Sequence, residues 1–257
     1  MIPLRDENPQ LKLPVVTYAL IALNILSWLV LQGFGAEPQL SNSICRLGLI
    51  PADLLGALDA ASVPEGLPCR IDGDSDWSTL LSSMFMHGSW MHLIGNMWFL
   101  WIFGDNVEDA MGSMRFAIFY VLCGFAAAGA QIIADASSPI PMVGASGAIG
   151  GVMGAYIMLY PRVHVHLFVY YTTLAVPAVF MLGYWFLIQV FGGFNSLGAE
   201  GGGVAFWAHL GGFAAGALLI GFLKDNELLA MHPYHGWKQR SHSSSAWHKV
   251  RGPNKRR

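Results

Sequence analysis

Ser146 lies in the run Met142-Val-Gly-Ala-Ser-Gly-Ala-Ile-Gly-Gly151, and His209 in Ala208-His-Leu-Gly-Gly-Phe-Ala-Ala-Gly216, both inside stretches apolar enough to span a bilayer. A serine hydroxyl is a poor nucleophile until a base takes its proton, and histidine is the side chain whose pKa suits that exchange near neutral pH. No Asp or Glu lies between Val204 and Leu223 to orient the imidazole. The chemistry expected is therefore nucleophilic attack by a Ser-His dyad, with neutral contacts and packing in place of the usual carboxylate. Such an attack builds a negative oxygen, which is costly in low dielectric unless hydrogen-bond donors already point at it. The backbone N–H of Ser146, the amide of Asn96 and the ring of His92 are the candidates for that oxyanion hole.

These groups need helices that cross a membrane, and the composition supplies them. Of 257 residues, 54% are hydrophobic and 12% charged, against roughly a quarter charged in an average soluble domain. A bilayer core asks for about 20 largely apolar residues in a helix. Six segments meet or approach that: 14 to 33, 90 to 103, 115 to 133, 143 to 160, 166 to 191 and 204 to 223. The second is short and is expected to borrow from the run Leu80 to Met86 before it. The first is long for a signal core and lacks a small-residue cleavage site, so it is expected to be retained. The expectation is an all-α polytopic membrane protein built as a six-transmembrane-helix bundle. In it, 1–13 form a cytoplasmic N-terminus, 14–223 the helical domain with a long extracytoplasmic loop at 34–89, and 224–257 a basic, partly disordered cytoplasmic tail.

The net charge of −2 says little, but its distribution orients the chain. With the N-terminus cytoplasmic, Arg5, Lys12, Arg115, Arg162 and the eight basic residues from Lys224 onward share that side, leaving only Arg46 and Arg70 on the other. Twelve against two is the positive-inside pattern, which places both termini in the cytoplasm. The membrane expected is the bacterial plasma (inner) membrane. The tail reads as a plain topology anchor, with attraction to anionic membrane lipids as the functional alternative, and no nucleic-acid motif is present. Cys45 and Cys69 flank the polar loop, where a disulfide and unpaired thiols are both compatible with the sequence. The stretch Gly192 to Gly203, with six glycines in twelve residues, is expected to be a flexible lid.

Depth brings the chemistry together. The second, fourth and sixth segments all start from the extracytoplasmic side, which puts Ser146 and His209 roughly 5 to 8 Å below it, and His92 and Asn96 start down from the same side. His92 and Asn96 are also four residues apart and share a helix face. His87 falls outside that helix, which makes a two-histidine metal clip geometrically poor, and the metalloprotease pattern His-Glu-x-x-His is missing. No metal or other cofactor is expected. Asn24, Ser27, Gln131, Thr172, Thr173 and Gln189 are assigned to packing, as lone polar groups in membrane helices commonly are. Gly144, Gly147, Gly212 and Gly216 are small residues at spacings that let membrane helices approach closely.

Taken together, these motifs resemble those of the rhomboid intramembrane serine proteases over about 80 to 223. The similarity is carried by His87, His92 and Asn96 in His-Gly-Ser-Trp-Met-His-Leu-Ile-Gly-Asn, by Gly104, Glu108 and Gly112, by Gly-Ala-Ser-Gly at 144 to 147, and by His209 with Gly212 and Gly216. The resemblance implies a six-helix fold, a dyad of Ser146 and His209, and an oxyanion hole using His92 and Asn96. It also implies single-span membrane proteins as substrates, cut near the outer leaflet without metal or nucleotide. It further implies that the fifth helix and the glycine-rich loop gate access. Two positions depart from the pattern. Some members carry an aromatic residue one helical turn after the serine, where this chain has Gly150, and the first loop offers Cys69-Arg70 in place of a Trp-Arg pair. A catalytically dead relative would more usually lack the serine or the histidine. A transporter would more often bury charges or interrupt paired helices in two similar halves, and an aspartyl protease would need a second intramembrane aspartate beside Asp105.

Overall fold

The computed structural model describes residues 2–57, 67, 69–71, 75–196 and 205–234. Helix α1 (Val15–Val30) is followed by the short helices α2 (Gln39–Leu47), α3 (Pro51–Leu55) and α4 (Thr79–Ser82), and then by α5 (Trp90–Met111), α6 (Ser113–Ala134) and α7 (Ser146–Leu159). Strands β2 (His164–Val169) and β3 (Thr172–Pro177) lead into α8 (Ala178–Ser196), α9 (Phe206–Leu223) and α10 (Asn226–Met231). An N-terminal strand, β1 (Ile2–Asp6), pairs antiparallel with β2 to make a three-stranded sheet in the order β1-β2-β3.

That sheet corrects the all-α expectation. The apolar segment 166 to 191 is not one span: its first part turns back as a hairpin whose tip, Tyr170 and Tyr171, has positive φ. Thr172 and Thr173 therefore stand on β3 and not inside a membrane helix. Val165 and Leu167 are buried while His164 and Phe168 on either side are exposed and His166 between them is half-buried, a period of two that a hydropathy window averages away.

The second expected span is also corrected, because α5 does not borrow from Leu80 to Met86. The Ser89 hydroxyl accepts the His92 N–H at 3.2 Å and fixes the start of the helix. Its other end runs on to Met111 through three acidic residues, two of which the N-terminal segment satisfies. Glu108 accepts from the Val16 and Thr17 N–H groups at 3.1 and 2.8 Å and from the Thr17 hydroxyl at 2.9 Å. It thus caps α1, whose own N-cap, Pro14, supplies no side-chain bond, and a carboxylate there also suits the helix dipole. Asp109 accepts from the Leu11 and Lys12 N–H groups at 2.6 and 3.1 Å. At Gly112, φ of 81° turns the chain from α5 into α6.

The core centres on α7, in which every residue from Gly147 to Tyr156 is buried. Around it the pattern of a soluble protein is reversed, with Leu26, Ile118, Phe180, Phe191, Leu218 and Phe222 exposed on the outer helices. Among the described residues, α6, α8 and α9 are long and apolar enough to cross a membrane, while α1 and α7 are apolar but shorter. Cys45 is bonded to Cys69, and Cys123 is a buried free thiol. Of the expected basic tail, Asn226–Met231 forms α10, and the part from 235 to 257 lies outside the described residues.

The strand β1 is fastened to the bundle by Asp6, which accepts hydrogen bonds from the Tyr156 hydroxyl and from Asn106 Nδ2. Burial raises the Asp6 carboxyl from 3.8 to about 7, and the bond from Tyr156 offsets part of that rise. Between these two values the folded chain holds a proton that the unfolded chain has released, so stability falls as pH rises through the window, and the cost is fully in force above about 7. The melting temperature in detergent is expected to drop between pH 5 and pH 8 more steeply for the wild type than for Asp6→Asn. Parallel slopes would contradict this.

Candidate active site

Ser146 is the first residue of α7, where the helix starts after Ala145. The N–H groups of that first turn have no intrahelical acceptor and face whatever lies above it. His209 is on the first turn of α9. The two helices bring them into contact, with His209 Nε2 2.8 Å from Ser146 Oγ. This approach depends on glycines. A Cβ on Gly212 would collide with the carbonyl oxygen of Gly147, and one on Gly216 with that of Gly151. At Gly150 a Cβ would sit 3.0 Å from the carbonyl oxygen of His209, a tight contact.

A cavity of about 620 Å³ opens beside the pair and is lined by His92, Asn96, Ser146, Trp185 and His209 among others. Gly88 N–H donates to His92 Nδ1 at 3.4 Å, which leaves Nε2 as the protonated nitrogen of a neutral ring. The Asn96 Nδ2 group is buried and has no hydrogen-bond acceptor among the described residues. Both donors meet at Gly144, whose φ of 126° and missing side chain keep the space open: a Cβ there would lie 2.7 Å from His92 Nε2 and 3.6 Å from Asn96 Nδ2. The structure therefore brings Ser146, His209, His92 and Asn96 around one cavity, with Gly144 against both His92 and Asn96. His87 stands behind them. Its ring packs edge-on against His92 with centroids 5.1 Å apart, and its backbone is held by Gln32 through bonds of 2.7 and 2.8 Å.

Two neighbours of His209 escape the sequence reading. Gln189, assigned there to packing, places Oε1 2.7 Å from His209 Nδ1. Trp185 sets its ring against the imidazole, with centroids 5.8 Å apart, in the role for which Gly150 leaves no side chain. Their four-residue spacing puts both on one face of α8, and an amide in the middle of a mostly apolar helix was the available signal. Gln131, also assigned to packing, accepts the Ala208 N–H at 3.3 Å and so steadies the start of α9. The stretch Gly192 to Gly203 expected as a lid is helical as far as Ser196, and its remainder lies outside the described residues. Among the described residues no group of three or more His, Cys, Asp or Glu is placed to hold a metal ion.

A family model for the rhomboid domain matches residues 74–225, more than half of the sequence, and the chain belongs to the rhomboid family. It is an integral membrane protein. It is 30% identical over 238 residues to rhomboid protease GluP of Bacillus subtilis (strain 168), covering 91% of this chain and 43% of that protein. It is 28% identical over 215 residues to RHOMBOID-like protein 6, mitochondrial, of Arabidopsis thaliana, covering 84% and 61%. Rhomboid protein 1, mitochondrial, of Saccharomyces cerevisiae is 30% identical over 146 residues, covering 54% and 40%. The chain spans about half the length of these curated relatives.

Proposed function

We propose that this chain is an intramembrane serine endopeptidase that hydrolyses peptide bonds in or near the transmembrane segments of single-span membrane proteins. The observation that carries the reading is the 2.8 Å contact between Ser146 Oγ and His209 Nε2 inside a bundle of largely apolar helices. As the Ser146 oxygen attacks the scissile carbonyl, His209 Nε2 takes its proton, and the carbonyl π electrons move onto the oxygen. That oxygen is received by the N–H of Ser146, the Asn96 amide and His92 Nε2. Collapse of the intermediate breaks the C–N bond, His209 returns the proton to the leaving amine, and an acyl group remains on Ser146. Water then repeats the sequence, with His209 again as base, and releases the acid.

Membrane placement follows the same reading. The helices α1, α5, α6, α7, α8 and α9 are the six proposed spans, forming the 14–223 domain with both termini cytoplasmic. At 14 residues, α7 measures about 21 Å, well short of a bilayer core of about 30 Å. Its serine thus ends below the outer surface, at a depth that water can reach through the cavity. A Bacillus relative supports the bacterial plasma membrane, while the relatives named as mitochondrial show that the family also occupies organelles. The positive-inside pattern sets the orientation. A substrate helix hides its peptide bonds in its own hydrogen bonds, so sites with helix-breaking small residues are preferred.

Purified protein in detergent is expected to cut a single-span reporter and to be labelled on Ser146 by a fluorophosphonate; absence of both would favour a non-catalytic binding protein. Asn96→Ala removes one oxyanion donor, typically worth roughly 3 to 4 kcal/mol of barrier. It is expected to lower kcat by roughly 10²- to 10³-fold with little change in melting temperature. Unchanged kcat would remove Asn96 from the oxyanion hole.

A further inference from the structure

We propose that Gln189 is a positioning residue for His209, its side-chain carbonyl holding the imidazole as the Nδ1–H tautomer with Nε2 turned to Ser146. The proposal rests on the dyad reading above and supplies what the packing of Trp185 cannot, a hydrogen-bond acceptor that fixes which nitrogen carries the proton. Two contacts on opposite nitrogens define it: Gln189 Oε1 at 2.7 Å from Nδ1, and Ser146 Oγ at 2.8 Å from Nε2. The orientation of the amide is set by its other end, since Gln189 Nε2 donates to the Trp185 carbonyl at 3.5 Å. With the NH₂ turned there, the oxygen faces His209. An amide oxygen can only accept, so Nδ1 must carry the proton. A neutral imidazole has one N–H, which leaves a lone pair on Nε2 for the serine.

An amide suits this place better than a carboxylate. Gln189 is buried, only 6% exposed, so a charge there would be stripped of water. The amide gives the same direction to the hydrogen bond without that cost. The buried residues of α8, Ala178, Leu182, Gln189 and Gly193, fall at intervals of four, seven and four and form one stripe against the bundle. Seating α8 by that stripe delivers both the Gln189 bond to the edge of the imidazole and the Trp185 ring, tilted by 38°, beside it. The groups facing His209 are Ser146 from α7, Trp185 and Gln189 from α8, and His92 from α5 across the cavity. No Asp, Glu, Lys or Arg lines that cavity among the described residues. The pH dependence of Ser146 reactivity thus reports on the imidazoles.

The test measures the rate of fluorophosphonate labelling of Ser146 from pH 5 to 9, with kcat and KM on a single-span reporter, for the full chain in detergent. Gln189→Met keeps the volume and removes the acceptor, whereas Gln189→Glu restores an acceptor and adds charge. Gln189→Met is expected to lose roughly tenfold in labelling rate and kcat, the worth of one oriented hydrogen bond, with KM and melting temperature little changed. Gln189→Glu is expected to recover labelling and to move the acid limb to higher pH, because a carboxylate favours the imidazolium. Labelling of Gln189→Met at the wild-type rate and pH profile would overturn the positioning role, as would a Gln189→Glu variant with no advantage over it. Ser146→Ala separates the two levels. If it still cleaves, the dyad falls and this proposal with it; if it is inert while Gln189→Met behaves as wild type, the Gln189 role alone falls.

Discussion

Ser146→Ala is expected to reduce cleavage of a single-span reporter by on the order of 10⁴-fold or more while leaving the fold intact. The hydroxyl makes its hydrogen bond to His209 Nε2, and the backbone of Ser146 starts α7 whether or not the oxygen is present. Alanine is also the better helix former and leaves no buried polar group unpaired on its own side. Loss of activity with an unchanged melting temperature is the signature of removed chemistry. His209→Ala should reach a similar floor, and the double variant should be no worse than either, because nucleophile and base act as one unit. Mass spectrometry of membranes from cells making wild type or Ser146→Ala would then reveal full-length proteins that accumulate only in the variant. Equal cleavage by wild type and variant would end the proposed mechanism.

The second large effect is structural. Gly212→Val and Gly216→Val are expected to cost about 3 kcal/mol each, and to lower the melting temperature in detergent by roughly 5 to 10 °C. At both positions even a Cβ would strike a backbone carbonyl of α7, which cannot rotate away as a side chain can. The helices must therefore separate, and they carry Ser146 and His209, the two halves of the proposed dyad. A displacement of about 1 Å is enough to lose a hundredfold in rate, so activity should collapse before the protein unfolds. Gly221→Val is the control on the same helix: a Cβ there meets nothing within 4 Å, and stability should change little. A Gly221 variant as damaged as Gly212→Val would show that helix propensity, and not close packing, sets the cost.

Some of this architecture was legible because it is local. The apolar segments, their order and the small residues at three- and four-residue spacing are written along the chain, and α1, α6, α7 and α9 appear within a few residues of where hydropathy puts them. The hairpin was not, since Val, Leu, Phe and Tyr raise hydropathy equally in a strand and in a membrane helix. What makes it a sheet is β1 arriving from the far end of the domain to pair with β2. The length of α5 was missed for a related reason. Asp109 and Glu108 look like the end of a span until the backbone of residues 11 to 17 is brought against them.

The sequence by itself determined that the chain is an integral membrane protein and which polar groups lie within its apolar segments, because residue type needs no partner to be read. Only the tertiary structure decided which nitrogen of His209 faces Ser146, and that Gln189 and Trp185 from α8 stand around the ring. A helical period says which residues share a face. It does not say which other helix that face will meet, and hydrogen-bond direction exists only once both partners are in place.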